Sequence, residues 1–160
     1  MSRPDEEVAF AGAAGALELL RSGEASSREL VELALERIAR IDPHLRAFRA
    51  VLAERALAEA DQADARRRAG DQRPLLGLPL AVKDDLGIAG ETVTFGSNAH
   101  AGQPERQDWE LVRRLRAAGA VFVGITNVPE LMVFPFTESA TNGLTRNPWD
   151  PQRTPGGSSG

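Results

Sequence analysis

The feature that most limits the fold of this chain is a change of sequence pattern at Pro74. Before Pro74, apolar residues recur at helical spacing, whereas after it short apolar runs are separated by turns. The second part has the order strand, helix, strand, at residues 78–82, 108–118 and 120–125, which is typical of an α/β layered sheet. We therefore predict an α/β protein in which a helical arm, residues 1–73, precedes the start of a mixed β-sheet with flanking helices.

The arm is predicted to hold three helices, at residues 12–21, 26–42 and 53–69. Ser26 with Glu29 three residues later forms a capping box, which indicates the start of the second helix. Asp42-Pro43 is expected to end that helix because proline cannot donate a backbone hydrogen bond. Residues 47–52 fit either a short strand or the approach to the third helix, and the pattern leaves both open.

The run at residues 120–125 is predicted to be a buried strand, and both predicted strands are apolar on both faces. Both are therefore expected to need covering layers and neighbouring strands from the missing C-terminal part, so that edges and apolar patches stay exposed in the chain as given. Beyond Thr126 the periodicity is lost and five prolines follow, which predicts a long loop region. Long loops in compact domains are commonly functional or disordered. Asn147-Pro148 is a turn signal, and we expect the neighbouring Trp149 to pack against the protein.

The composition excludes several classes of function. The 160 residues include 19 basic and 23 acidic ones, for a net charge of -4, so the chain has no general attraction for nucleic acid or anionic membranes. The arginines at 66–68 suit the end of a helix dipole better than a nucleic-acid patch. Cysteine is absent and there are only two histidines, so we expect neither a metal nor a cofactor. The acidic start and the lack of a long apolar stretch predict a cytoplasmic protein.

Lys83 is the only lysine, because the other 18 of the 19 basic residues are arginines. Arginine keeps its proton in proteins, whereas the amine of a lysine can lose it. Lys83 is therefore the one basic side chain here that could act as a neutral amine. Functional retention and chance survival both explain that count, and the count alone does not separate them.

Three segments give Lys83 a context. They are GLPLAVKDDLGIAG at residues 77–90, LVRRLRAAGAVFVGITNVPEL at residues 111–131 and TRNPWDPQRTPGGSSG at residues 145–160. In content and order they resemble the amidase signature family, and the resemblance runs from about Ser26 to Gly160. It implies that residues 1–160 are the N-terminal portion of an amidase signature domain, with the catalytic lysine and the cis-serine loop within residues 74–160.

The resemblance also implies roles for single residues. Lys83 matches the family's catalytic lysine, and Ser158 matches the serine that follows a cis peptide bond and relays a proton to that lysine. The rest of the signature loop, Gly156, Gly157, Ser159 and Gly160, supports Ser158. The family's nucleophilic serine lies in a second Gly-Ser segment beyond this loop, so we expect a truncated chain that is inactive alone.

The chemistry sets conditions on this site. A lysine acts as a base only when neutral, which burial and nearby cations favour and carboxylates oppose. At least one of Asp84 and Asp85 is therefore expected to point away or to be engaged by backbone donors. The Lys83 amine and the Ser158 hydroxyl should lie roughly 3 to 5 Å apart. Thr126, Asn127 and Arg146 are weaker candidates that could line the cleft, with a turn role the stronger expectation for Asn127.

The implied function is hydrolysis of a small-molecule amide to an acid and an amine or ammonia. No nucleic acid or membrane partner is expected. Whether the full-length protein forms a homodimer is left open. An alternative within the family is the amidase-type subunit of the glutamine-dependent aspartyl/glutamyl-tRNA amidotransferase, although the segment at residues 127–131 looks more like the general amidases. An alternative of another class is a non-enzymatic interaction module formed by the helices of residues 1–73.

Overall fold

A computed structural model describes residues 5–100 and 102–160 of the chain. The elements, in chain order, are α1 (Asp5–Ala9), α2 (Gly12–Ser22), α3 (Ser27–Leu45), β1 (Phe48–Val51), α4 (Ala53–Arg68), β2 (Pro79–Lys83), a 3₁₀ turn (Asn98–His100), α5 (Glu110–Ala117), β3 (Val121–Thr126), a second 3₁₀ turn (Glu130–Met132), β4 (Glu138–Ser139) and β5 (Gly143–Leu144). The chain divides into two compact units: unit 1 (Met1–Ile38, Leu52–Leu80 and Arg114–Val123) and unit 2 (Ala39–Val51, Ala81–Arg113 and Gly124–Gly160).

The three predicted helices of the arm are present as α2, α3 and α4, and a short helix, α1, precedes them. The capping box is confirmed, because the Ser26 amide donates to Glu29 Oε2 at 2.8 Å and the Glu29 amide donates to Ser26 Oγ at 3.1 Å. Asp64 on α4 accepts the next two amides, those of Ser27 at 2.8 Å and Arg28 at 3.0 Å. Side chains thus satisfy the amides that the first turn of a helix leaves without helical partners.

Unit 1 buries two apolar clusters. The first joins α1, α2 and the start of α3, and its buried members are Val8, Leu19, Leu20, Ala25 and Leu30. The second packs α3 and α4 against β3, and its buried members are Val31, Ala56, Ala60, Val121 and Val123. Alanines on α4 let that helix lie close to its neighbours, which explains why an Ala-rich sequence forms the covering layer here.

The predicted end of α3 at Asp42-Pro43 is wrong, since the helix continues through Pro43 to Leu45. A proline so near the end removes only one bond of the ladder. Asp42 accepts the amides that follow the helix: its carbonyl accepts the Arg46 amide at 2.7 Å, and its carboxylate accepts the amides of Ala47 and Phe48 at 2.6 and 3.1 Å. The same contacts turn the chain into β1, so residues 48–51 form the strand that the pattern left open.

The main sheet has the strand order β1-β3-β2. β1 pairs antiparallel with β3, with Phe48 opposite Thr126, Ala50 opposite Ile125 and Val51 opposite Gly124. β2 runs parallel to β3, as shown by the bonds Val121 N to Leu78 O at 2.9 Å and Asp84 N to Thr126 O at 3.1 Å. The predicted α/β class with a mixed sheet is therefore confirmed.

The predicted burial of the strand at residues 120–125 is confirmed, whereas the strand at residues 78–82 is only partly covered. The first five residues of β3 are buried, whereas in β2 only Val82 is buried and Ala81 is exposed. The difference follows from position, because β3 is central in the strand order and β2 is at an edge. The prediction that Trp149 packs is wrong, since its side chain is 93% exposed.

The region after Thr126 contains more structure than the predicted loop. It includes the second 3₁₀ turn and a small antiparallel hairpin in which Glu138 pairs with Leu144 and Ser139 with Gly143. Pairs of this length are too short to leave a periodic pattern. Across the described residues, no helix combines the length and apolar character required to cross a membrane.

Candidate active site

The candidate site begins at Lys83, the last residue of β2. A turn follows at once, closed by the bond from the Leu86 amide to the Lys83 carbonyl at 3.0 Å. The Lys83 Nζ donates to Ser158 Oγ at 3.1 Å, across 75 residues of sequence. The expected proximity of these two groups is therefore confirmed, and both residues belong to unit 2.

Ser158 is held by a loop that Thr137 anchors. The Thr137 side chain is buried, and its hydroxyl donates to the Gly156 carbonyl at 2.7 Å. Its amide donates to Thr154 Oγ1 at 3.0 Å. The Gly157–Ser158 peptide bond is cis, as the family resemblance implies.

The glycines of the loop are required by close approach and by backbone conformation. A Cβ on Gly157 would lie 2.9 Å from the Phe134 carbonyl oxygen, and a Cβ on Gly160 would overlap the Thr137 side chain. Gly156 has a φ of 111°, a conformation that favours glycine. Ser159, by contrast, is exposed.

The two aspartates after Lys83 have different surroundings. Asp84 is 1% exposed and turns to Arg49 and Thr94, with Arg49 Nε 3.0 Å from Oδ1 and the Thr94 amide donating to Oδ1 at 3.2 Å. The Thr94 hydroxyl donates to the other carboxylate oxygen. Asp85 instead keeps Oδ2 within 3.5 Å of Lys83 Nζ. The expectation that at least one aspartate is engaged away from the lysine is confirmed for Asp84.

The weaker candidates make contacts of other kinds. Thr126 donates from Oγ1 to the Val82 carbonyl at 3.4 Å. Asn127 is buried, and its Nδ2 donates to the Arg46 carbonyl at 2.8 Å, which links two loops. The Arg146 amide donates to the Leu45 carbonyl at 2.8 Å. Within the described part of the chain, none of the three hydrogen-bonds to Lys83 or Ser158.

Sequence reasoning missed three residues that contact Asp84 or the Ser158 loop, namely Arg49, Thr94 and Thr137. Arg49 and Asp84 are far apart in sequence, and no local pattern joins an arginine of one strand to an acid at the end of another. Thr137 lies in a stretch without periodicity. The only sequence signal would have been the preference of a buried carboxylate for arginine as its partner.

The arrangement can move a proton. The Ser158 hydroxyl both donates and accepts hydrogen bonds, and the Lys83 amine can take up or release a proton. The pair is partly buried, with the Lys83 side chain 19% exposed. Among the described residues there is no cluster of three or more His, Asp or Glu side chains that could bind a metal ion.

Comparisons with known proteins identify relatives of this chain. The family model described as Amidase matches residues 29–160. A Mycobacterium tuberculosis protein named as an amidase, AmiB2, is 56% identical over 154 residues, which are 96% of this chain and 33% of that protein. A glutamyl-tRNA(Gln) amidotransferase subunit from Roseiflexus is 46% identical over 145 residues, 91% of this chain and 30% of that protein.

A solved structure of the native peptide amidase from Stenotrophomonas maltophilia superposes with a TM-score of 0.87 at 39% identity, covering 98% of this chain and 33% of that one. The chain thus spans about a third of the length of the relatives it matches. Because the family model matches more than half of its residues, the chain belongs to the Amidase family.

Proposed function

We propose that this chain supplies the lysine base and the relay serine of an amidase that hydrolyses a small carboxylic acid amide to an acid and an amine or ammonia. The observation that carries the proposal is the 3.1 Å contact between Lys83 Nζ and Ser158 Oγ. Nothing local in the sequence brings these groups together. The proposal includes a nucleophilic serine from the second Gly-Ser segment of the family.

In the acylation step, a neutral Lys83 amine takes the proton of the Ser158 hydroxyl while Ser158 takes the proton of the nucleophile. The nucleophile oxygen then forms a bond to the amide carbon. Passing the proton back through Ser158 delivers it to the leaving nitrogen as the carbon–nitrogen bond breaks. Water repeats the sequence on the acyl group, so that the acid is released and the serine is regenerated.

The resulting base is a lysine rather than a histidine, and a relay hydroxyl lies between it and the nucleophile. Because the Ser158 hydroxyl carries the proton, the amine need not contact the nucleophile itself, and the Lys83 side chain stays partly buried, at 19% exposure. Backbone amides of the glycine-rich loop are candidates for stabilising the oxyanion, because glycine lets the backbone come close to a substrate.

A chimera tests the proposal. Residues 1–160 are joined to the remainder of AmiB2, and the release of ammonia or amine is measured on those amides that AmiB2 itself turns over. We expect activity in the chimera and its loss in the chimera with Lys83→Ala. A folded chimera without activity on the amides that AmiB2 hydrolyses would contradict the proposal, as would an active Lys83→Ala chimera.

The amidotransferase alternative rests on the 46% identity to the Roseiflexus protein, compared with 56% to AmiB2. Glutamine is therefore added to the substrate panel. The alternative would be favoured if glutamine were the only amide of the panel that releases ammonia and if the partner subunits of an amidotransferase increased that release.

The division into a helical arm of residues 1–73 and a core from residue 74 stays part of the proposal, and so does a cytoplasmic location. Circular dichroism of residues 1–73 expressed alone distinguishes an independent interaction module, which folds, from an arm that depends on the rest of the domain. Cell fractionation tests the location.

A further inference from the structure

We infer that Arg49, Asp84 and Thr94 form a positioning unit, the 49–84–94 latch, that fixes the end of β2 so that Lys83 points at Ser158. The inference rests on the proposed function of Lys83. The latch residues do not touch Ser158 and act through the lysine.

The first step is the direction of two adjacent side chains. Lys83 contacts Ser158 and Asp85, whereas the Asp84 carboxylate contacts Arg49 and Thr94. Asp84 is the first residue of the turn that follows β2, so its backbone is joined directly to that of Lys83. Holding the Asp84 carboxylate on Arg49 and Thr94 therefore restrains the backbone from which the Lys83 side chain extends to Ser158.

The second step is a β-bulge that brings Arg49 to Asp84. Phe48 pairs with Thr126 and Ala50 with Ile125, so β1 has one extra residue at Arg49. Bulges redirect side chains and are common beside active sites. Arg49 lies on β1 and Asp84 follows β2, on the two sides of β3, and the Arg49 guanidinium also donates from Nη2 to the Thr92 carbonyl at 2.7 Å.

The third step is the loop that carries Thr94. Its amide and hydroxyl both donate to the Asp84 carboxylate, and the Phe95 amide donates to the Asp84 carbonyl at 3.3 Å. The Gly96 amide in turn donates to Thr94 Oγ1 at 3.1 Å. Asp84 is thus held through its side chain and its backbone at once.

The buried charges make the latch sensitive to substitution. The side chains of Arg49 and Asp84 are 15% and 1% exposed, and removing one partner leaves the other charge without compensation. The bonds from Thr94 and Phe95 add direction to that ion pair. We expect the loss of any one contact to loosen the strand end beside Lys83.

The kinetic test uses the chimera with Thr94→Val, which removes the hydroxyl at nearly constant shape, and with Asp84→Asn. Both should lower kcat by up to about 100-fold with little change in KM, because small misplacement of a reacting group is costly. Thr94→Ser, which keeps the hydroxyl, should restore most of kcat. Asp64→Asn in unit 1 is the matched control, since Asp64 also accepts two backbone amides but lies outside the latch.

The second readout needs no catalysis. Because Lys83 is the only lysine, an amine-reactive acylating reagent can modify only Lys83 and the α-amine, which serves as the internal reference. In the 160-residue chain, Thr94→Val and Asp84→Asn should speed Lys83 acylation severalfold relative to the α-amine, and Asp64→Asn should not. Circular dichroism verifies folding of each variant.

The kinetic and acylation measurements together distinguish failure of the latch from failure of the proposed function. Wild-type kcat and wild-type Lys83 acylation in Thr94→Val would overturn the latch. A folded but inactive wild-type chimera, with Lys83 acylation still faster in the latch variants, would overturn the proposed function and support the latch.

Discussion

Asp64 in unit 1 and Asp84 in unit 2 both accept hydrogen bonds from backbone amides, but they stabilise different features. Asp64 is half-buried and accepts the amides of Ser27 and Arg28 at the start of α3, where a carboxylate also suits the helix dipole. Asp84 is fully buried, and an arginine compensates its charge. The first stabilises one element, whereas the second holds the end of a strand that carries Lys83. The difference teaches that burial and charge compensation, rather than the carboxylate itself, distinguish the aspartate beside Lys83 from the aspartate that caps a helix.

The comparison predicts that substitutions in unit 2 act on activity, and the largest effect is expected at Lys83. In the chimera, Lys83→Ala should lower kcat/KM by about 10⁴-fold, the upper range for loss of a general base. Lys83→Arg should not rescue it, because a guanidinium keeps its proton. Steady-state amide hydrolysis measures both, and near-normal turnover with arginine would exclude a neutral lysine as the base.

The next effect is expected at Ser158, the proposed relay. Ser158→Ala should slow acylation by about 100-fold, a smaller loss because water can occupy the place of the hydroxyl. Single-turnover kinetics report the acylation step directly. The control is Ser159→Ala, since Ser159 is exposed and its side chain makes no hydrogen bond within the described structure. Equal losses in the two variants would argue against a relay through Ser158.

Two glycines, one in each unit, allow the two units to be compared by the stability cost of a glycine-to-alanine substitution. Gly119 in unit 1 has a φ of 101°, and a Cβ there would lie 2.6 Å from the Leu76 Cα. Gly156 in unit 2 has a φ of 111° but nothing within 4 Å of its Cβ position. Gly119→Ala should lower the free energy of unfolding by about 3 kcal/mol, and Gly156→Ala by about 1 kcal/mol. Urea unfolding followed by circular dichroism gives both values, and equal costs would show that crowding at Leu76 is relieved.

The helices of unit 1 could be predicted because their signals are local. The capping box at Ser26 and Glu29 lies within a few residues of the helix end that it marks, and the structure contains it. The prediction failed at Pro43, where the helix continues to Leu45 and the carboxylate of Asp42 accepts the Ala47 amide just beyond its end. A side chain that caps the next turn leaves no pattern that periodicity can detect.

The site of unit 2 could be predicted only through the family resemblance. Lys83 and Ser158 meet across 75 residues, and neither spacing nor composition requires that contact. Arg49 escaped detection because it reaches Asp84 through a bulge, and a bulge depends on the pairing of two strands. Trp149 was expected to pack because it is apolar and large, yet the described structure leaves it exposed.

The smallest effect is expected at Asp71, an acid of unit 1 that lies after α4 and outside any candidate site. The backbone amide of Arg73, at 3.0 Å, and then the Arg73 guanidinium, at 2.9 Å, lower the pKa of Asp71 from its ordinary value of 3.8. A carboxyl whose pKa is lower in the folded state adds stability above its unfolded pKa, and that stability is lost as the pH falls through the folded value. Asp71→Asn should therefore reduce the free energy of unfolding slightly at neutral pH, and the difference from wild type should vanish once the pH falls below the folded pKa, which lies below 3.8. Urea unfolding over a pH series measures this difference. A constant difference at every pH would show that Asp71 acts through its shape and hydrogen bonds rather than its charge.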